Sequence, residues 1–264
     1  MGNRPEIEEL DMSGTSELQK TKTIPWMAKV ITLFPEMFPG PLAYSLLGKA
    51  LKKNLWSLDT TNLRDFSSDS HKTVDGTPTG GGAGLVIRAD VLDQAICHTL
   101  DKCEYSREEW PILALSPRGQ VFNQDMALNF SLCKGLTIIC GRYEGFDERV
   151  LKFHNIPEIS IGDFVMSGGE IAAQVLIDTT VRLIPHVIGN QNSLVEESFS
   201  KGLLEYPQYT NPRIWRGLPI PEELYSGHHE KIRQWRKLKS EEITKNRRPD
   251  LWDRYQRAKK TEVK

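Results

Sequence analysis

Short apolar runs of strand length recur through the body of the chain, and stretches with helical spacing lie between them. MAKVITLF (27–34) reads as a buried strand, and AYSLLGKALKKN (43–54) as a helix with apolar residues three and four apart. LWSLDTTNL, GLVI, PILAL, GLTIIC and EISIG continue the strands, while ADVLDQAICHTL and the run from Glu170 to Ile184, closed by Pro185, continue the helices. Strands that alternate with helices predict an α/β domain with a mostly parallel sheet. Ligands of such sheets bind beyond the C-terminal ends of the strands. Three glycine-containing segments are expected there as loops: LSPRGQ (115–120), GRYEGFDERV (141–150) and IGDFVMSGGE (161–170).

The rest of the chain is differently built. DFSSDSHKTVDGTPTGGGAG (65–84) reads as a long polar loop, of the kind that is usually functional or mobile. The linker HVIGNQNSLVEESFSKGLLEYPQYTNP is polar and irregular, and PEELYSGHHEKIRQWRKLKS and RRPDLWDRYQRAKK are helical and basic. The expected division is a disordered extension at 1–24, an α/β domain at 25–185, a linker or lid at 186–212 and a small helical domain at 213–264. Charge follows that division. Fifteen Lys or Arg and eight Asp or Glu lie from Asn211 to Lys264, so that tail is +7 and the preceding residues are -8 within a total of -1. The asymmetry fits an acidic body with a basic module that meets a polyanion, and equally a solvated lysine-rich helical face. No apolar run reaches the roughly 20 residues a membrane span needs. The first residues have no apolar core of a signal peptide, and Glu6 stands where a myristoylation motif wants Ser or Thr.

Several familiar chemistries are excluded. GGGAG at 80–84 is not followed by Lys-Ser/Thr, and Leu85 occupies the place of the third glycine of a dinucleotide fingerprint. Nucleoside triphosphates and NAD therefore do not fit. The segment IGDFVMSGGE carries two acids and no base, so a ligand with a planar base and a positive centre suits it better, offset by Glu144, Asp163 and Glu170. S-adenosylmethionine, a sulfonium, has those properties. Bland readings stand beside these. Glu144 could be a solvated turn acid, Arg182 could pair with Asp178 one helical turn earlier, and Glu196 and Glu197 could face water. His228 and His229 are adjacent and point apart on a helix, which argues against a metal site. Cys97, Cys103, Cys133 and Cys140 match no zinc or redox spacing and read as buried free thiols of a reducing cytosol.

FPEMF, HKTVDGTP with GGGAG, LSPRGQ, ICGRYEGFDERV, SIGDFVMSGGE, LIDTTVRLIP, ESFSKGLLEYPQYTNP and SGHHEKIRQWR recur in this order. Together, from about Val30 to Trp252, they resemble the bacterial tRNA (guanine-N1)-methyltransferases of the SPOUT class. The resemblance implies a deep C-terminal trefoil knot in the α/β domain, an exception to the rule that chains do not thread. It implies a cytoplasmic homodimer with active sites at the subunit interface and a small all-helical domain that clasps tRNA. The product would be N1-methylguanosine at position 37, just 3′ of the anticodon. The knot loops would hold S-adenosylmethionine through Leu115, Ser116, Pro117, Gly141, Tyr143, Ile161, Gly162, Asp163, Phe164, Val165, Met166, Gly168 and Gly169. A Mg2+ requirement is also in keeping with the family, although the sequence shows no metal-ligand cluster.

Guanine N1 carries a proton that must leave as the methyl group arrives, so a general base is needed, and charge then develops on O6. The resemblance gives O6 to Arg182. It gives the base to an aspartate in a D-S-F context, where this chain has Glu197 in E-S-F, with Glu196 a lesser candidate. Glu144 would orient the donor or the target base. The carboxylate survives at 197 but is one methylene longer. Phe164 stands where the family often has Tyr, Asp75-Gly76 where it has Asp-Asp, Thr79 where it has an aromatic residue, and Asn211 where it has Arg. Other readings are a related knotted methyltransferase acting on another RNA position, and an RNA-binding protein without turnover.

Overall fold

The structure is a computed structural model that describes residues 24–189, 194 and 196–262. The disordered extension expected at 1–24 therefore lies, apart from Ile24, outside the described residues. Five strands form one sheet: β1 (Trp26–Thr32), β2 (Trp56–Asn62), β5 (Ile112–Val121), β6 (Gly135–Cys140) and β7 (Glu158–Ser160). Their order is β2-β1-β6-β5-β7 and every pairing is parallel. A small antiparallel pair, β3 (Asp75–Gly76) with β4 (Val86–Ile87), lies outside the sheet.

Side chains alternate across a strand, so each strand feeds two cores. Val30, Leu113, Leu115, Ile138 and Cys140 face one side, where α1 (Ser45–Lys52), α3 (Gln124–Leu132) and α5 (Glu170–Val181) pack. Ile31, Ile112, Ala114 and Ile139 face the other, against α2 (Ala89–Asp101) and α4 (Glu148–Phe153). Burial of each such Leu or Ile contributes about 1.5–3 kcal/mol before ordering costs. Trp56, the largest fully buried side chain among the described residues, also satisfies its indole N–H with the Leu47 carbonyl at 2.9 Å. The expected α/β class with a parallel sheet is what the chain adopts.

Three local expectations are corrected. LSPRGQ is not a loop after a strand but a bulge within β5, because Leu115 and Gln120 both pair with Ile159. Pro117 has no N–H for the ladder, so the segment between those two pairings bows out. Helix α5 ends at Val181, three residues early, and turns at Leu183 and Ile184 carry the chain to Pro185. The C-terminal module is not wholly helical: a hairpin of β8 (Ile214–Trp215) and β9 (Leu218–Pro219) precedes α6 (His229–Arg247) and α7 (Pro249–Glu262). Trp235 is buried there and meets Tyr209 edge-on at 6.1 Å.

The long polar stretch 65–84 is organised by Asp69. Its carboxylate accepts from Ser67 Oγ (2.8 Å) and from the backbone N–H groups of Thr73 (3.2 Å) and His71 (2.9 Å). The Ser67 hydroxyl and the Thr73 amide, with the Thr73 hydroxyl and the His71 amide behind them, hold its pKa at about 2, below the ordinary 3.8. A lowered carboxylate pKa stabilises above the unfolded value and ceases to do so as pH falls through the folded one. Amide exchange at His71 and Thr73, corrected for intrinsic rates, should therefore be protected at a pH of about 5 and lose protection toward about 2. Equal protection at both values would show that Asp69 does not organise the turn.

Candidate functional site

Beyond the C-terminal ends of β5, β6 and β7 lies a cavity of about 260 Å³. Its walls are the β5 bulge, the 141–146 turn and the 158–169 segment, with Ala172 of α5 behind them. Of the residues expected to hold the donor, all except Asp163 line it, and Glu144 does so too. Asp163 is at the tip of a tight turn closed by the Phe164 N–H to the Gly162 carbonyl (2.9 Å), and it is exposed.

The two glycines of SGGE have a use inside the protein. The segment Ser167–Glu170 crosses the end of β6 in contact: the Gly169 N–H donates to the Gly141 carbonyl at 2.8 Å. A Cβ on Gly169 would lie 2.9 Å from Cys140 Cα and from the Gly141 nitrogen, and one on Gly168 would run into the Arg142 side chain. Gly169→Ala should therefore lower the unfolding free energy by about 1–3 kcal/mol, as overpacking does, in urea denaturation. An unchanged midpoint would mean that the crossing can part freely.

Charge inside the site departs from the sequence reading. Glu170 does not face the cavity; it is 1% exposed, accepts from Thr32 Oγ1 (2.8 Å) and is paired with Arg142 Nη2 at 2.8 Å. Arg142 also donates to the Ser167 carbonyl (3.1 Å) and lies over the Phe34 ring at 4.4 Å. One guanidinium thus ties the end of β1, the 167–169 segment and the start of α5 together. Sequence reasoning gave Arg142 no role. Its position in GRYEG, between two glycines of a strand-to-helix turn, was the available signal. The other arginine in the wall, Arg118, is paired with Glu158 (3.0 Å) and Glu148 (3.2 Å). Both bases are therefore neutralised, and Glu144 remains as an exposed acid with no ion pair among the described residues. Its carboxylate lies where a Cβ on Gly84 would be, so the GGGAG stretch packs against the cavity's acidic rim.

A second constellation sits at the other end of α5. Arg182 forms a two-pronged pair with Glu197, Nη1 to Oε2 at 2.7 Å and Nη2 to Oε1 at 2.5 Å. The hydrogen bond to Glu197 raises the Arg182 pKa further, so the guanidinium is always charged. The alternative pair with Asp178 is not the one formed; burial raises the Asp178 pKa, against the pull of Arg182. Glu196 turns elsewhere, to Arg236 of α6 (3.0 Å) and the Tyr206 hydroxyl (2.6 Å). Consecutive acids thus tether this segment to two elements, Glu196 to α6 and Glu197 to the end of α5.

A family profile described as tRNA (Guanine-1)-methyltransferase TrmD matches residues 27–254. The chain belongs to this family. A tRNA (guanine-N(1)-)-methyltransferase of Ruegeria sp. (strain TM1040) is 58% identical over 234 residues, which is 89% of this chain and 95% of the relative. Proteins of the same name from Rhodospirillum rubrum and Zymomonas mobilis are 53% and 52% identical, covering 88% of this chain and 95% and 91% of their own lengths. The family match ends within α7 and begins inside β1, so it takes in the cavity, the Arg182–Glu197 pair and the basic helix α6. No helix among the described residues is long and apolar enough to cross a membrane.

Proposed function

We propose that this member of the tRNA (guanine-1)-methyltransferase family transfers a methyl group from S-adenosylmethionine to N1 of the guanosine 3′ of the anticodon, position 37 of tRNA. The observation that carries the reading is the two-pronged Arg182–Glu197 pair. A guanine edge offers an acceptor, O6, beside a donor, N1–H. Arginine is the donor that matches O6, and a carboxylate is the acceptor that matches N1–H. A flipped-out guanine can therefore take the place that each partner now fills for the other.

The cavity suits the donor. Its wall is largely bare backbone at Gly141, Gly168 and Gly169, which fits an adenine held through main-chain groups, and its two arginines are already paired. Glu144 is left to face a cation. S-adenosylmethionine supplies the electrophilic methyl group and leaves as the neutral thioether. Glu197 takes the N1 proton as N1 bonds to the methyl carbon, and Arg182 holds the charge that gathers on O6. The Mg2+ that the resemblance admits finds no ligand cluster at the cavity among the described residues, and the chemistry above does not call on it.

Distance supports a homodimer. The cavity lies at the start of α5 and Arg182 just beyond its end, about 18 Å away at ~1.5 Å per residue. That separation favours a site shared between two copies, the cavity of one beside the Arg182–Glu197 pair of the other. Ile171 and Val175 are exposed one turn apart on α5, as are Leu128 and Leu132 on α3, which gives an apolar strip for such a partner. The contact between the Cys140–Arg142 and Gly168–Gly169 segments supports the family's trefoil knot as the way the cavity is closed. The +7 C-terminal region suits phosphate contacts of tRNA, and a cytoplasmic site of action goes with that substrate.

The test is nucleoside analysis of tRNA after incubation with the purified full chain and labelled S-adenosylmethionine. N1-methylguanosine next to the anticodon is the expected product. Another methylated nucleoside would favour a related RNA methyltransferase, and tRNA binding without any methylation would favour a binding protein; either result overturns the proposal.

A further inference from the structure

The face of the sheet opposite α5 carries a cluster that the transfer does not use. Asp93 and Cys97 are four residues apart on α2, so their side chains lie one above the other on one face of the helix. His154 closes the C-terminal end of α4, which packs on α2 through the second core. Its Nε2 lies 2.6 Å from Asp93 Oδ1. A carboxylate oxygen, the Cys97 sulfur and a ring nitrogen of His154 all fall within 4.8 Å of one another. None of the three lines the cavity.

An ordinary Asp–His hydrogen bond accounts for two of these side chains. It leaves the thiol unexplained, and the expectation of buried cysteines is corrected: Cys140 is buried, but Cys103 and Cys133 are half-buried and Cys97 is exposed. We infer that Asp93, Cys97 and His154 form a binding site for a zinc-type divalent cation, with the fourth position open to water. The donor set decides the class of ion. Magnesium and calcium favour all-oxygen shells, whereas one oxygen, one imidazole nitrogen and one thiolate suit zinc and its neighbours. The distances are close to what is needed. Zinc bonds of about 2.0–2.2 Å to N and O and about 2.3 Å to S place tetrahedral donors roughly 3.3–3.8 Å apart. The Asp93–His154 contact must open by about an ångström and the sulfur swing in by a similar amount, movements that side-chain torsions supply. Burial first, then the charges of Asp93 and Asp101, raise the Cys97 pKa, so the thiol loses its proton as the ion binds.

Such an ion joins α2 to α4 and stabilises only the folded chain, by an amount that grows with its concentration. The experiment uses the full chain stripped with a chelator and titrated with zinc alone in a calorimeter. Cobalt titration follows the thiolate-to-cobalt absorption band. One zinc per chain, a higher melting temperature and a cobalt–thiolate band are expected. Cys97→Ser should abolish the band, and His154→Asn should weaken zinc binding by more than the ~10–100-fold that loss of an outer-shell partner costs. Cys103→Ser and the double variant His228→Asn/His229→Asn should change neither. Because Cys97 is exposed, Cys97→Ser tests the ligand set without removing core packing, and its unliganded melting temperature should match the parent's. Absence of zinc binding, or binding with a cobalt–thiolate band that survives Cys97→Ser, would overturn the assignment.

Discussion

Arg142→Ala is expected to lower the unfolding free energy by roughly 3–5 kcal/mol. The reason is the asymmetry of the pair. Arg142 is 18% exposed and its partner Glu170 only 1%, so the variant strands a carboxylate where water cannot reach it. Thr32 still donates one hydrogen bond to Glu170, but a neutral hydroxyl does not replace a guanidinium. Removing the charge from both sides relieves most of the loss, so Arg142→Met with Glu170→Gln should be more stable than Arg142→Ala alone. Arg88→Ala is the control. Arg88 pairs with Asp90 at 2.6 Å, yet the two side chains are 35% and 53% exposed, and such surface pairs are worth about 0–1 kcal/mol. Urea denaturation at constant m value reads all of these. A loss below about 1 kcal/mol in Arg142→Ala would show that Glu170 is reached by water in the variant, and that Arg142 is not the tie between β1, α5 and the 167–169 segment.

These contrasts show what the sequence could and could not disclose. Strands such as GLTIIC and PILAL were legible because their apolar content is local, and the alternation of strand with helix was enough to place them in a parallel sheet. The β5 bulge was not legible, because it exists only through two pairings with Ile159, more than thirty residues away in the chain. Glu170 misled for the same reason. Its partner Arg142 lies in a different motif, so a buried ion pair looked like an acid waiting for a ligand. Residue pattern alone joined Arg182 to Asp178, the helical neighbour, since spacing sees only one turn ahead. Family resemblance pointed instead to the 196–197 acids, and the fold brings Glu197, not Asp178, onto the guanidinium. Asp93, Cys97 and His154 show the limit from another side: no spacing rule joins an i,i+4 pair on one helix to a histidine capping another.

Arg182→Ala should lower methyl-transfer turnover by about 10²–10³-fold, as removal of an oxyanion donor does. Glu197→Gln should lower it by about 10²–10⁴-fold through loss of the base. Both should leave S-adenosylmethionine binding within a few-fold of the parent, because neither residue lines the cavity. Glu197→Asp shortens the arm by one methylene yet keeps the carboxylate, so it should retain far more activity than Glu197→Gln. The proposed arrangement across two chains makes a sharper demand. Arg182→Ala has an intact cavity but no arginine for O6, whereas a variant that fills the cavity from its wall, such as Ser116→Trp, retains Arg182. Each alone should turn over far more slowly than the parent. If the cavity of one copy works with the Arg182–Glu197 pair of the other, co-expressed mixed dimers contain one complete site and regain turnover. If both halves of a site came from one chain, no mixed dimer would contain a complete site and activity would stay at the level of the single variants. The proposed homodimer predicts the first outcome. Recovered turnover in the mixture, with methylation confined to N1, joins the geometry of the pair to the geometry of the cavity in one measurement.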